Sequence, residues 1–158
     1  LGDVYKRQIE DSELIVAFLD MVENHKMIVE NSGLLTVAAL KQLNVKDKRI
    51  VSILSGGNMD VITMSSVVQQ GLILRDRIFT VSVLLPDKPG ELCRVSGIIA
   101  RVNGNVIKLE HNQFVSINRS AAVELRITLE AFGTEHKNEI IAALEKEGYQ
   151  PKVVRANI

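Results

Sequence analysis

One short loop, Ser55-Gly56-Gly57-Asn58, has residue types suited to holding a flat ligand. It follows the apolar run Ile50–Leu54 and precedes a predicted helix, and the carboxyl end of a buried strand is where open α/β sheets bind ligands. Glycines allow a ligand to approach the backbone closely, and a serine hydroxyl can both donate and accept a hydrogen bond. On these residues alone, an ordinary turn fits as well as a ligand site.

A second loop, Asp87-Lys88-Pro89-Gly90-Glu91-Leu92, joins a predicted strand to a predicted helix. Free backbone N–H groups at a helix start favour a carboxylate, and Asp87 could pair with an ammonium group. An α-amino acid carries both charges at about that spacing, so the loop suits a small zwitterion. A plain Pro-Gly turn is the alternative reading of the same residues.

Composition and motifs exclude several other classes of function. The 158 residues carry 19 basic and 19 acidic side chains, so no net charge favours nucleic acid or an anionic membrane. We expect no membrane span, because no apolar run approaches the roughly 20 residues required. The single cysteine and the lack of a secretory signal indicate a cytoplasmic protein. Phosphate-loop, dinucleotide and serine-nucleophile motifs are missing, and the three histidines lack metal-ligand spacing.

The elements that must position the first loop indicate an α/β domain. Apolar periodicity predicts helices over residues 11–24, 31–43 and 60–70, the last ending at Gly71. The near-continuous apolar run Ile50–Leu54 predicts a strand of a parallel sheet that is buried on both faces. One strand cannot make a sheet, so residues 9–74 are expected to form an incomplete domain whose other strands lie upstream.

The second half of the chain predicts a complete small domain. Strands are expected over residues 79–85, 106–114, 123–130 and 149–155, and helices over 92–102 and from Thr134 to Gly148. The clearest strand is 123–130, where apolar and polar residues alternate. The order βαββαβ is the ferredoxin-like arrangement, with four strands and helices on one face.

The first eight residues look foreign to the rest of the chain. Asp3-Val4-Tyr5-Lys6-Arg7-Gln8 reads like the translation of a transposase end sequence used in sequencing adapters. We therefore expect residues 1–8 to be a non-native, adapter-derived tail, with a genuine polar terminus as the alternative. The native chain would then enter near Ile9.

Three motifs in this order carry a resemblance to a known family. Glu30-Asn31-Ser32-Gly33 and Val51-Ser52-Ile53-Leu54-Ser55-Gly56-Gly57-Asn58 resemble the end of the catalytic domain of fold-type II (tryptophan synthase β-like) pyridoxal-phosphate enzymes. Asp87-Lys88-Pro89-Gly90 resembles the DxPG loop of ACT domains. Together they resemble threonine ammonia-lyases (threonine dehydratases) with one ACT domain. Residues 9–74 would be the incomplete catalytic part, and residues 75–158 the regulatory domain.

The resemblance implies roles for the first loop. In the family the serine of the SGGN turn hydrogen-bonds the pyridine nitrogen of pyridoxal 5'-phosphate, and here that serine is Ser55. The neighbouring cofactor-binding positions would be Gly56, Gly57, Asn58 and Glu30. The family's cofactor-bearing lysine and its phosphate loop precede the matching segment, so we expect no catalytic residue here and no activity from the fragment alone. The parent would convert L-threonine, and also L-serine, to a 2-oxo acid and ammonia.

The resemblance also implies an effector site and an oligomer. Effector positions would be Asp87, Lys88, Pro89, Gly90, Glu91 and Leu92, with Asn105, Val106 and Ile107 as neighbours. Biosynthetic members of the family act in isoleucine biosynthesis, and their effectors are isoleucine and valine. ACT domains pair side by side, so at least a homodimer is expected. The alternative function is a non-catalytic, amino-acid-binding regulatory and dimerisation module.

Overall fold

The computed structural model describes residues 6–112 and 122–156. The chain forms two compact units, Leu1–Leu74 and Arg75–Ile158. Residues 1–5 of the predicted foreign tail, and Phe114 at the predicted end of a strand, lie outside the described residues. Each unit has its own hydrophobic core.

The first unit is built from short helices. Helix α1 spans Asp11–Asp20 and continues through one π-helical turn, Met21–His25; a 3-10 turn, Asn31–Leu34, leads into α2, Leu35–Leu40, and α3 spans Val61–Leu74. Helix α1 begins with a reciprocal capping box between Glu10 and Glu13. The core side chains of this unit come from all three helices and the segment between α1 and α2: Leu14, Ala17, Phe18, Met21, Val29, Leu34, Ala38 and Val67.

The strand predicted at Ile50–Leu54 is wrong for this structure. No described residue of the first unit forms a strand, and Val51 and Ile53 are 90% and 74% exposed. The apolar pattern is typical of a strand, but a strand needs neighbours that accept its backbone hydrogen bonds. Residues 6–74 supply no such neighbour, so the run stays unpaired.

Gly71 does not end helix α3, as the sequence predicted. The helix continues to Leu74. Gly71 is buried, and a Cβ built there would lie 2.3 Å from Leu19 Cδ1. The glycine therefore allows α3 to pack closely against α1.

The second unit has the predicted ferredoxin-like topology. Its elements are β1 (Ile78–Pro86), α4 (Glu91–Arg101), β2 (Asn105–Asn112), β3 (Ala122–Glu130), α5 (Thr134–Lys146) and β4 (Lys152–Val154). They form an antiparallel sheet in the order β2-β3-β1-β4. Alternate residues of β1 and β3 pack with both helices in one core: Phe79, Val81, Val83, Leu85, Val95, Ile98, Ile99, Leu125, Ile127, Leu129, Ala131, Ile140 and Leu144. This part of the fold prediction is confirmed.

The opposite face of the sheet is more buried than simple alternation predicts. The hydroxyls of Thr80 and Thr128 lie 2.9 Å apart, and Ser82 Oγ donates to Glu124 Oε1 at 2.6 Å. Thr80, Glu124 and Thr128 are all buried, because they lie on the two central strands and pair laterally. The Ser82 hydrogen bond, followed by that from Arg126, lowers the pKa of the Glu124 carboxyl.

Strand β2 is an edge strand with little cover. Seven of its eight residues are exposed, including Val106, Ile107 and Leu109. Ile107 occupies a bulge, since the pairing with β3 shifts between Val106 and Lys108. An exposed apolar edge is a ready template for pairing with another strand.

Candidate functional site

The Ser55–Asn58 turn is held by the segment that starts the second helical region. A Cβ built on Gly33 would lie 1.9 Å from the carbonyl oxygen of Ser55 and 2.8 Å from Val29 Cγ1. The backbone N–H of Glu30 donates to the Gly56 carbonyl at 3.3 Å. The two segments that carry the catalytic-domain motifs are therefore in direct backbone contact.

Glu30 lies over the turn, next to Gly56. Gly56 has φ +81°, and a Cβ there would lie 2.2 Å from Glu30 Oε1. The Glu30 carboxylate accepts a hydrogen bond from Ser32 Oγ at 2.8 Å. The structure thus brings Glu30 together with Ser55 and Gly56, although Glu30 lies far from them in the sequence.

The far side of the turn leads directly into α3. Met59 N–H donates to the Gly57 carbonyl at 3.0 Å, and Asp60 Oδ1 accepts from the N–H groups of Ile62 and Thr63, both at 3.0 Å. Hydrogen bonds from the Thr63 side chain and backbone lower the pKa of the Asp60 carboxyl. Asn58 is exposed at the tip of the turn.

The turn fits one contact to the edge of a flat heteroaromatic ring. Ser55 is exposed, and among the described residues its hydroxyl has no hydrogen-bond partner. Gly57 leaves a Cβ position with only an ordinary 3.5 Å contact, to the Ile28 carbonyl, so the backbone beside Ser55 presents no bulk. The surface at Ser55 and Gly57 is therefore open to a flat ligand.

The Asp87–Leu92 loop connects β1 to α4 through a left-handed glycine. Lys88 N–H donates to the Pro86 carbonyl at 2.8 Å, and Gly90 has φ +92° immediately before the first residue of α4. Within the helix, Arg94 N–H donates to the Gly90 carbonyl at 3.0 Å. The N–H groups of the first helical turn point out of the helix end and can bind a carboxylate.

An open depression of about 350 Å³ lies beside this loop. It is lined by the six predicted loop residues and by four others: Leu85, Pro86, His111 and Val123. The sequence predicts no metal site at His111 and no part for it in the loop. Its position becomes visible only in the strand register, which pairs His111 of β2 with Leu125 of β3.

The Glu91 side chain is already engaged within the second unit. Tyr149 Oη donates to Glu91 Oε2 at 2.9 Å, and Arg94 Nη1 lies 3.7 Å from Glu91 Oε1. Burial, followed by the hydrogen bond to Glu91, raises the pKa of the Tyr149 hydroxyl. Glu91 therefore secures the start of α4, whereas Asp87 remains the exposed carboxylate of the loop.

Asn105, Val106 and Ile107 do not lie beside the loop within one chain. Asn105 pairs with Glu130, and Glu130 also pairs with Ile78, at the start of β1; the loop follows Pro86, at its end. His111 lies six steps along the strand from Asn105, a distance of roughly 20 Å. Asn105 Nδ2 instead donates to Glu130 Oε2 at 3.0 Å.

A second depression, of about 500 Å³, lies between the end of α4 and the start of α5. Its histidine has a structural role: His136 Nδ1 accepts from Phe132 N–H at 3.1 Å, and Nε2 lies 2.6 Å from the Val102 carbonyl. The ring also stacks on Phe132. In residues 6–112 and 122–156, no group of three or more acidic, histidine or cysteine side chains could hold a metal, and no helix could cross a membrane.

The second unit combines a ferredoxin-like sheet topology with a depression of about 350 Å³ at its first strand–helix loop. Among solved structures, the chain is similar to the ACT domain of prephenate dehydrogenase from Bacillus anthracis, with 26% identity and a TM-score of 0.37 over 46% of this chain and 99% of that one. It is also similar to the ACT domain of GTP pyrophosphokinase from Chlorobium tepidum, with 14% identity and a TM-score of 0.39 over 49% of this chain and 96% of that one.

Sequence similarity to known proteins extends across both units. The chain is 35% identical over 149 residues to an L-threonine ammonia-lyase of Geobacter sulfurreducens, and 30% identical over 147 residues to that of Thermotoga maritima. These matches cover 93% and 92% of this chain and 37% of each relative. No protein-family model matches. The chain is homologous to threonine ammonia-lyases over the part of their length that it spans, which confirms the resemblance seen in the motifs.

Proposed function

We propose that this chain is the C-terminal part of a pyridoxal-phosphate-dependent threonine ammonia-lyase. The parent enzyme converts L-threonine to 2-oxobutanoate and ammonia, accepts L-serine, and acts in the cytoplasm in amino-acid metabolism. The observation that carries the proposal is that one continuous match to such enzymes runs through both units and covers 93% of the chain.

In this proposal the first unit supplies one wall of the cofactor site. Pyridoxal phosphate, when bound, supplies the electron sink for loss of the β-hydroxyl. The Ser55 hydroxyl would hydrogen-bond the ring nitrogen as a neutral partner, so it would not hold a permanent charge on that nitrogen. Gly56, Gly57 and Asn58 form the turn, and Glu30 is held over it by Ser32. The covalent lysine and the phosphate loop come from the remainder of the parent.

Sequencing outward from Ile9 in the source DNA tests the enzyme proposal. We expect an in-frame upstream domain that contains the cofactor-bearing lysine. A start codon immediately before Ile9 would contradict the proposal. In the complete parent, Ser55→Asp should abolish or redirect elimination while the cofactor stays bound, as judged by its absorbance. Unchanged turnover in Ser55→Asp would remove the role assigned to Ser55.

The second unit, in the same proposal, is an ACT-type regulatory domain that binds isoleucine or valine beside the Asp87–Leu92 loop. Asp87 pairs with the ammonium group, and the N–H groups at the start of α4 bind the carboxylate. Lys88, Pro89 and Gly90 shape the rim of the depression. Calorimetric titration of the chain with isoleucine and valine tests this step, and Asp87→Asn should weaken binding.

A homodimer paired along β2 completes the proposal. If two copies of this exposed edge pair antiparallel about the middle of Asn105–Asn112, Val106 of the second copy lies opposite His111. Asn105, Val106 and Ile107 then reach the depression from the second copy, although they are remote from it within one chain.

The two edges of the sheet offer a matched test of this pairing. Val106→Lys places a charge on the β2 edge, and Val153→Lys places one on the β4 edge, where Val153 is 52% exposed. We expect sedimentation equilibrium to show a dimer for the wild type and for Val153→Lys, and a monomer for Val106→Lys. A dimer that is lost only in Val153→Lys would place the contact at the other edge.

The second candidate function is an amino-acid-binding regulatory and dimerisation module without catalysis. It is favoured by the completeness of the second unit, which has its own core and its own depression. Upstream sequencing separates the two candidates, since the module alone requires no cofactor domain in frame.

A further inference from the structure

His111 forms the wall of the depression that faces the loop across the sheet. It pairs with Leu125, so both side chains lie on the face of the sheet that the helices cover. Val123 and Leu85, which pair with each other, lie between β2 and the loop. Two strand spacings, about 10 Å, separate β1 from β2, enough for an amino acid to lie between the loop and the imidazole.

The loop can satisfy both charged ends of a bound amino acid without His111. The first-turn N–H groups of α4 bind the carboxylate, and Asp87 is the exposed partner for the ammonium group. Glu91 is not available, because Tyr149 donates to its carboxylate. With both ends held at the loop, the ligand's side chain extends along the sheet, over Val123 and towards His111.

We propose that His111 sets the side-chain specificity of the amino-acid site at the loop, and that its imidazole stabilises a side-chain hydroxyl, so that the site accepts L-threonine beside isoleucine or valine. This inference rests on the amino-acid site of the proposed function and adds its specificity. The wall is otherwise apolar where Leu85 and Val123 line it. An imidazole has one donor and one acceptor when neutral and two donors when charged, so it can hydrogen-bond a hydroxyl in either state.

L-Threonine and L-valine provide the probe, because their side chains differ only by a hydroxyl in place of a methyl group. Calorimetry of the complete 158-residue chain gives the ratio of their dissociation constants. We expect His111→Leu to shift that ratio towards valine by roughly 10-fold or more, since it loses a hydrogen bond and gains an apolar contact. His111→Gln, which keeps a donor and an acceptor, should shift the ratio less.

Glu110→Gln is the matched control, because Glu110 is the strand neighbour of His111 but pairs with Arg126 on the opposite face. It should leave the ratio unchanged. An equal loss of affinity for both ligands in His111→Leu, or no change for either, would overturn the specificity role and leave the amino-acid site standing. If the wild-type chain binds no amino acid, the proposed site and this inference both fail.

Discussion

Gly33 is the position where one added methyl group should disturb the candidate cofactor wall most directly. In Gly33→Ala the Cβ would lie 1.9 Å from the Ser55 carbonyl oxygen, whereas ordinary contacts begin at 3.4 Å. Val29 Cγ1, at 2.8 Å, prevents an easy shift to the other side. The Ser55 backbone must therefore move by about 1.5 Å, taking the Ser55 hydroxyl with it.

Overpacking of this kind costs about 1–3 kcal/mol, and a rigid backbone contact places Gly33→Ala at the upper end. Gly57→Ala is the matched control in the same turn, because its Cβ would meet only the Ile28 carbonyl at 3.5 Å. We expect that control to change stability by less than about 0.5 kcal/mol.

Hydrogen exchange followed by mass spectrometry can measure the first unit separately from the second. A loss of about 3 kcal/mol raises the exchange rate of protected amides in α1 roughly 150-fold. Peptides covering residues 50–60 should also change in Gly33→Ala but not in Gly57→Ala. Equal protection in the two variants would refute the argument that Gly33 holds the turn in place.

Three further predictions concern the second unit, each measured by urea denaturation. Gly90→Ala should destabilise it by about 1–2 kcal/mol through its left-handed backbone alone. Gly97 lies within a helix and its Cβ would meet nothing within 4 Å, so Gly97→Ala should stabilise the unit by about 0.5–1 kcal/mol. A stability change of the same sign in both variants would refute this. Thr128→Val should cost about 1–3 kcal/mol by leaving Thr80 without its partner, and a second Thr80→Val change should recover most of that loss; simple additivity would refute the pairing. The pKa of Glu124 is lower when folded, so its stabilising effect is present above its ordinary value of 4.5 and is lost as pH falls; Glu124→Gln should flatten this acid dependence, and an unchanged slope would refute it.

The second unit was predictable from sequence because its information is local. Alternation from Val123 to Leu129 gives the strand and its inward face, and the periodicity of Ile140 and Leu144 gives the helix that covers it. The first unit was less predictable, since the apolar run Ile50–Leu54 indicates a buried strand but pairs with nothing in residues 6–74. The local pattern predicts that a segment could form a strand, but whether that strand pairs depends on residues elsewhere in the sequence.

The site residues divide in the same way. The loop residues Asp87 and Gly90 belong to one short motif, so they could be found from the sequence alone. His111 and Tyr149 join that loop through strand register and helix packing, which no local motif encodes. The position of Asn105 has the same limit, because the sequence shows that a strand begins there but not which end of the sheet that start occupies.

The left-handed glycines of the two candidate loops, Gly56 and Gly90, show how a ligand site can be separated from an ordinary turn. Nothing lies within 4 Å of a Cβ built on Gly90, so backbone conformation alone requires glycine there. At Gly56 a Cβ would overlap the Glu30 carboxylate, so conformation and the space needed by a charged side chain both require glycine. A plain turn does not need a carboxylate held over it by a neighbouring serine hydroxyl. The arrangement of Glu30, Ser32 and Gly56 therefore favours a ligand-facing wall at Ser55 over an ordinary connection.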